Sequence, residues 1–197
     1  MATPIGHYLV GLAVTEALAR DPQVRAARYW IAAVACAPDL DVIPGFLLGE
    51  LGRYHHHATH SLTAGVVAAL GVLLVAWWRG RALSLTVPVL VFAAYVSHHV
   101  LDAVTANPGP RPGMPLLWPW SETRFLSPWA LLPHVQHTSG PVVSTHNVLL
   151  ALREIALLTP LVAFVRAARG APTPRAWAYG IGFLAVVAIS IASLNEF

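Results

Sequence analysis

Residues 53–81 read RYHHHATHSLTAGVVAALGVLLVAWWRGR, and this stretch decides the fold. It begins with four of the ten histidines and continues from Ser61 to Trp78 as eighteen residues without a charge. An apolar run of that length crosses the hydrocarbon core of a bilayer with little tilt. Arg79 and Arg81 end the run. The stretch therefore predicts a membrane helix whose opening histidines form one edge of a metal site.

The composition of the 197 residues favours a membrane protein. Hydrophobic residues make up 56% of the chain and charged residues only 11%, whereas soluble domains carry about 25% charged residues. A very apolar soluble bundle is the alternative. All twelve basic residues are arginines, and they occur in small groups between apolar runs rather than on one face or in a tail. We interpret them as determinants of membrane topology, and we expect no nucleic-acid partner.

The apolar runs predict an all-α, polytopic membrane helix bundle that forms a single domain over residues 1–197. We expect about five to six membrane helices, built from the runs at 4–19, 29–37, 61–78, 82–104, 146–166 and 177–194. Residues 42–51 predict an irregular or re-entrant connection. The segment 106–145 holds eight of the sixteen prolines and three of the seven tryptophans, which are Trp118, Trp120 and Trp129. We expect this long outer loop to cap the bundle at headgroup level on the extracytoplasmic side.

The arginines set the predicted topology. Eight of the twelve lie in three short turns, at 20–28, 79–81 and 166–175. The positive-inside rule places these turns inside and both termini outside, and no histidine falls in an inner turn. Asp39 follows Arg28 by roughly 16 Å of helix, and Glu154 precedes Arg166 by a similar length, so both carboxyls are predicted to lie within the bilayer. Ionisable groups at such a depth face a cavity, a partner or an ion.

Two pairs of residues supply candidate ligands at these depths. His98 and Asp102 are four residues apart and therefore share one face of a helix, and His99 is a second possible partner for the carboxylate. Asp39 and Asp41 follow a proline that ends a helix, and two carboxylates in an apolar setting repel each other unless a cation or a proton separates them. The alternatives are a His–Asp hydrogen bond that only packs helices and a solvated helix C-terminus.

The histidine-rich stretch adds His55 and His60, which come just before a helix that Thr59 or Ser61 can cap. Imidazole and carboxylate ligands together suit zinc, with manganese or iron as alternatives. Mixed sites of this kind often activate a water between two ions, and we expect one to three ions. The alternative is a surface loop that binds metal only adventitiously.

Several short motifs occur together in the order of a known family. They are Gly6-His7, Pro38-Asp39-Leu40-Asp41, His55 with Thr59-His60-Ser61, and Ser97-His98 with Leu101-Asp102 and Thr105. Over about residues 4–120 the chain resembles the YdjM-like family of LexA-regulated, inner-membrane, metal-dependent hydrolases. That family has His-Arg-Gly leading into Thr-His-Ser, whereas this chain has His56 and His57 in place of Arg and Gly, so Arg53 is the candidate for the arginine's phosphate-binding role. The resemblance implies a multi-pass protein of the bacterial inner membrane.

A more distant likeness connects the chain with zinc-dependent phospholipases C. Those enzymes hold zinc with an Asp, a His and a His-xxx-Asp pair, and Asp39, His60, His98 and Asp102 occur here in that order. Their cluster is completed by a later His-xxx-Glu. This chain has His146 and Glu154 on one helix, at a different spacing.

Together the two resemblances imply a metal-dependent hydrolase of phosphate esters of a lipid-like substrate. The expected metal ligands are Asp39, His60, His98 and Asp102, with His7 and His55 as further ligands and Asp41 and Glu154 as additional candidates. Asp41 or Glu154 is the expected catalytic base. Four arginines are candidates to hold phosphate or to anchor the chain at the interface, namely Arg53, Arg111, Arg124 and Arg153. The alternatives are a non-enzymatic metal or proton carrier and a membrane protein in which a metal only locks helices together.

Overall fold

The computed structural model describes residues 1–50, 54–106, 112–136, 144–169 and 173–192. These residues contain no β-strand and form seven α-helices, which confirms the all-helical prediction. The helices are α1 (Pro4–Leu18), α2 (Pro22–Ala33), α3 (Val42–Leu47), α4 (Leu62–Trp78), α5 (Thr86–Ala103), α6 (Thr145–Ala167) and α7 (Pro174–Ala192). Short 3-10 turns occupy Val34–Cys36, Pro38–Asp41 and Ala58–His60.

Side-chain caps define where several helices begin. Thr3 and Asp21 cap α1 and α2, and each is followed by a proline in the first helical position. Ser61 caps α4 by accepting from the Ala64 amide, and Ser144 caps α6 in the same way. Such oxygens satisfy amides that the helix itself leaves without partners. Thr59 and Ser61 were both predicted as possible N-caps of α4, and Ser61 is the residue that caps it.

Helix α1 lies at the centre of the bundle and packs against α2, α5 and α6. Its approach to α2 is close, because a Cβ added to Gly11 would lie 2.6 Å from the Ala32 carbonyl oxygen. Helices α4 and α7 lie at the two edges, where α4 packs on α5 and α7 packs on α6. Large apolar side chains are exposed along both edge helices, including Leu70 and Leu184.

Two of the described helices, α5 and α6, are long and apolar enough to cross a membrane. A third span is possible if Pro22–Cys36 and Pro38–Leu47, which are bent by 44°, count as one broken crossing. Two further segments, Leu62–Trp78 of α4 and Pro174–Ile189 of α7, are apolar but fall below the same length criterion. The membrane character of the bundle is thus supported, and the number of five to six spans stays a prediction.

Residues 42–51 were expected to form an irregular or re-entrant connection. Val42–Leu47 form helix α3, and the 44° bend before it fits either a broken span or a re-entrant loop. The second apolar helix also starts earlier than predicted, at Pro22. Arg25 and Arg28 were taken for a turn, but they lie within the first turns of α2, where their polar ends reach the bundle surface. Residues 112–136 of the expected cap loop contain turns and single bridges without a helix or strand.

Contacts between helix ends show which ends lie together at each of the two poles of the bundle. At one pole Arg166, near the end of α6, meets Glu16, near the end of α1. Gln23, near the start of α2, accepts from the Ser84 amide just before α5. The opposite ends of these helices therefore share the other pole, which is where the histidines lie.

Candidate metal centre

The candidate centre begins where α1 crosses the end of α5. His7 lies in the second turn of α1, with its Nε2 atom 3.3 Å from Asp102 Oδ1. His98 and Asp102 share a face of α5 as their spacing predicted, with His98 Nε2 3.3 Å from Asp102 Oδ2. The rings of His7 and His98 stack with centroids 3.7 Å apart. All three side chains are buried.

Asp39 reaches the same point from the 3-10 turn that follows α2. Helix α2 ends at Ala33 and two 3-10 turns follow it, the second of which begins at Pro38; proline cannot continue a regular helix, and this second turn directs Asp39 inward. Its Oδ2 atom lies 3.7 Å from His7 Nε2, and its Oδ1 atom lies 3.6 Å from His98 Nε2. These two histidines, Asp39 and Asp102 each offer a ligand atom within 4.8 Å of the others. The four residues therefore form one compact candidate metal group.

A second group adjoins the first. His55, His56 and His60 also offer ligand atoms within 4.8 Å of one another. His60 Nε2 lies 3.1 Å from His98 Nε2 and 3.6 Å from Asp39 Oδ1. The Asp39 Oδ1 atom is thus equally distant from a histidine of each group. This arrangement has the donor set and the spacing for two neighbouring ions.

Several polar atoms in these groups are buried without a hydrogen bond. They are both oxygens of Asp39, both ring nitrogens of His7, Asp102 Oδ2 and His56 Nε2. Buried polar atoms are normally satisfied, and a carboxylate without a partner in an apolar interior is costly. A divalent cation would satisfy these atoms together, so the residues present fit a metal.

Other contacts aim the imidazoles at the centre. Asp41 lies 2.8 Å from His55 Nδ1 and 3.2 Å from His60 Nδ1, and it accepts a hydrogen bond from Thr59 Oγ1 at 2.7 Å. His98 Nδ1 donates to the Ala35 carbonyl at 2.8 Å. Hydrogen bonds of this kind fix the tautomer of a metal-binding histidine and orient its ring. Asp41 therefore occupies an orienting position.

The charge states of the histidine-rich stretch differ between neighbours. Burial lowers the pKa of His56 to about 4, so its ring is neutral near pH 7. Burial also acts to lower the pKa of His60, but the nearby carboxylates of Asp39 and Asp41 outweigh it and raise this pKa to about 9. A metal at His60 would therefore displace a proton, as metals bound by histidine commonly do.

Glu154 lies outside both groups. It is fully buried in α6, and its carboxylate accepts from the Thr3 amide at 2.8 Å and also from Thr3 Oγ1. A Cβ added to Gly6 would lie 2.6 Å from Glu154 Oε2, so a side chain at this position would have to displace the Glu154 carboxyl. Glu154 thereby anchors the first turn of α1, next to His7. His146 is directed elsewhere, with its Nε2 atom donating to the His134 carbonyl at 3.0 Å.

His56 was not among the ligands expected from the sequence. Its Nε2 atom lies 3.4 Å from Asp102 Oδ2, and its backbone adopts a left-handed conformation with φ 59°. Arg124 Nη2 donates to the His56 carbonyl at 3.2 Å and to the Gly113 carbonyl at 2.6 Å. The run of three histidines was the available signal, but its second member was taken only as a departure from the family pattern.

The structure describes two of the four candidate phosphate-binding arginines. Arg124 donates to main-chain carbonyls as described, and Arg153 lies within α6 and has a partner of its own. Arg53 and Arg111 lie outside the described residues.

Comparison with known proteins places the chain in a family. The family model described as "YdjM inner membrane protein" matches residues 1–195. The chain belongs to the YdjM family. This YdjM-family protein is also 33% identical over 143 residues to inner membrane protein YbcI of Escherichia coli (strain K12), a match that covers 67% of this chain and 76% of the relative. No solved structure matches it.

Membership of the YdjM family assigns the protein to the inner membrane, in agreement with its apolar helices. The match extends well beyond the motifs at 4–120 that first suggested it, and it includes α6 and α7. The helix that carries Glu154 is therefore part of the family architecture.

Proposed function

We propose that this protein is a membrane-embedded, metal-dependent hydrolase of phosphate esters of a lipid-like substrate. The observation that carries the proposal is the convergence of five imidazoles and two carboxylates, from four separate parts of the chain, on one buried point. Burying such a set of polar and charged groups costs free energy unless a cation binds among them. Groups of this kind mark functional sites inside membrane proteins.

In this proposal one ion is held by His7, Asp39, His98 and Asp102, and a second by His55, His56 and His60. Zinc is the first choice for a site of imidazoles and carboxylates, with manganese or iron as alternatives. A bound divalent ion supplies a water of lowered pKa and stabilises charge on phosphoryl oxygens.

The protein's own residues then have separate tasks. Asp41 keeps the Nε2 atoms of His55 and His60 directed toward the centre, since it is bonded to their Nδ1 atoms. Glu154 and Thr3 fix the first turn of α1 and so the position of His7. The sequence suggested Asp41 or Glu154 as the base, and we propose positioning roles for both, because Asp41 contacts the Nδ1 atoms of two candidate ligands and Glu154 accepts from Thr3 at the start of α1.

A lipid-like substrate is favoured by the surroundings of the centre. Helix α3 begins directly after Asp41, and its end exposes Phe46 (71%), Leu47 (75%) and Leu48 (63%). Asp39, a candidate ligand, is the least buried member of its group. Exposed apolar side chains beside a metal site in a membrane protein would contact acyl chains, which brings a phosphoester headgroup toward Asp39.

Metal analysis combined with an activity screen tests the proposal. Lipid phosphates and phosphodiesters are offered to the purified protein with zinc, manganese or iron. The proposal expects hydrolysis that depends on the added metal and that is abolished in Asp102→Asn. Metal-loaded protein that hydrolyses none of these substrates would contradict it.

One alternative has a specific observation in its favour. His7, His60 and His98 are fully buried, as ligands would be in a centre that only locks helices. In that case Asp102→Asn lowers thermal stability and no metal-dependent hydrolysis is found with the unaltered protein. A carrier of metal or protons is less well supported, because at the opposite pole the buried Glu16 lies against arginines.

A further inference from the structure

The pole of the bundle opposite the histidines holds a second buried carboxylate. Glu16, near the end of α1, is 1% exposed and is surrounded by three arginines. Arg166 Nη2 lies 2.8 Å from Glu16 Oε1, and Arg28 Nε lies 3.7 Å from the same oxygen. Arg169 contacts Glu16 Oε2, and its Nε atom donates to the Glu16 carbonyl at 2.6 Å. We call these four residues the arginine pocket.

The charges in the arginine pocket do not balance. Three guanidinium groups surround one carboxylate, which leaves two positive charges in excess. One arginine suffices to pair a buried carboxylate bidentately, and further cations held nearby repel one another. A site that only joined α1 to α6 would not require Arg28 as well. The excess charge therefore indicates an anionic partner with two negative charges.

The three arginines are also accessible to such a partner. Their side chains are 31% (Arg28), 53% (Arg166) and 25% (Arg169) exposed, while the carboxylate beneath them is buried. Arg28 is further held by the Arg25 carbonyl, which accepts from Nη1 at 2.8 Å, and by the Tyr29 hydroxyl, which accepts from Nη2 at 3.2 Å. Arg166 is held by Glu16 through Nη2 and is half exposed, and a guanidinium fixed in this way is pre-organised to bind a phosphate as a planar fork.

The position of the pocket in the membrane identifies the source of the phosphate. Trp30, two residues from Arg28, is 81% exposed, and Trp177, which follows Arg175 in α7, is 61% exposed. Tryptophans beside arginines mark the headgroup layer, and the excess of arginine marks the inner side. Basic pockets between helices on that side bind anionic lipid headgroups.

We propose that the arginine pocket binds the headgroup of an anionic phospholipid of the inner leaflet, and that a headgroup with two phosphates fits best. Two phosphodiesters carry two negative charges, which match the excess in the pocket. This site uses none of the residues of the candidate metal centre and does not depend on the proposed hydrolase activity.

Native mass spectrometry of the full-length protein in detergent tests this. The probes are diphosphatidylglycerol, phosphatidylglycerol and phosphatidylcholine, with inorganic phosphate in a separate arm. We expect diphosphatidylglycerol to be retained most and phosphatidylcholine least. Arg166→Gln and Arg28→Gln should each weaken diphosphatidylglycerol binding by about tenfold, the effect of losing roughly one charge-assisted contact. Two variants are used so that, if one of them fails to fold, the other still tests the proposal.

Arg79→Gln is the matched control, because it removes the same charge from the exposed end of α4. It should leave lipid binding unchanged. Equal losses in Arg166→Gln, Arg28→Gln and Arg79→Gln would overturn the proposal in favour of general surface charge. Equal retention of phosphatidylcholine, or inorganic phosphate that displaces the lipid at equal concentration, would also overturn it. Asp102→Asn should retain the lipid, which separates this result from that of the metal centre.

Discussion

His60 and His98 face each other with their Nε2 atoms 3.1 Å apart inside the bundle. The Nδ1 atom of His98 donates to the Ala35 carbonyl, and the Nδ1 atom of His60 lies 3.2 Å from Asp41 Oδ2. If both Nδ1 atoms carry protons, both Nε2 lone pairs point at each other, and only a proton or a cation between them removes the repulsion. A metal centre resolves this contact and satisfies the neighbouring carboxylates as well.

Asp41→Asn is expected to weaken the second metal group more than the first. The change removes the charge that orients His55 and His60, and loss of such an outer hydrogen bond costs about 10–100-fold in metal affinity. Metal titration followed by calorimetry should show one tight site preserved and one weakened. Asp21→Asn, at the exposed cap of α2 on the opposite pole, serves as the control. Two unchanged sites in Asp41→Asn would contradict the orienting role.

Arg124→Gln should lower metal binding at His56. The guanidinium holds the His56 carbonyl, and a left-handed conformation at a non-glycine residue needs support from its surroundings. Metal content and hydrolysis are measured on the same sample. If activity falls while metal content stays constant, Arg124 acts on substrate phosphate and the positioning role is wrong.

Gly6→Ala is expected to destabilise the protein by about 1–3 kcal/mol, as overpacking of a filled interior does. The added methyl group would meet Glu154 Oε2 at 2.6 Å and displace the first turn of α1. Thermal unfolding in detergent measures the effect. Gly71→Ala is the matched control, since nothing lies within 4 Å of its added Cβ. It should raise stability by about 0.5–1 kcal/mol. Equal effects of the two substitutions would contradict the packing of Glu154 on Gly6.

The sequence predicted those features that depend on local spacing. The apolar runs predicted α1, α4, α5, α6 and α7 closely, and the four-residue separation of His98 and Asp102 placed both on one face of α5. Asp39 was assigned from its position after Pro38 and its estimated depth. These inferences need only the helical repeat and the thickness of a bilayer.

Features that depend on distant parts of the chain were not predictable in this way. The contact of His56 with Asp102 needs a left-handed backbone that Arg124 supports from 68 residues away. Glu154 was expected near the centre, but its partner is Thr3, 151 residues distant in sequence. Nothing local to Glu154 indicates whether it faces a metal or a helix N-terminus.

The metal content of the purified protein tests the central proposal most directly. Elemental analysis and X-ray absorption of protein prepared without added chelator should show up to two ions per chain, bound by nitrogen and oxygen. Asp102→Asn should lose metal, because both groups lie against this carboxylate, whereas His146→Gln should retain it. A protein without bound metal, or Asp102→Asn with the metal content of the unaltered chain, would contradict the assignment of this cluster as a metal centre.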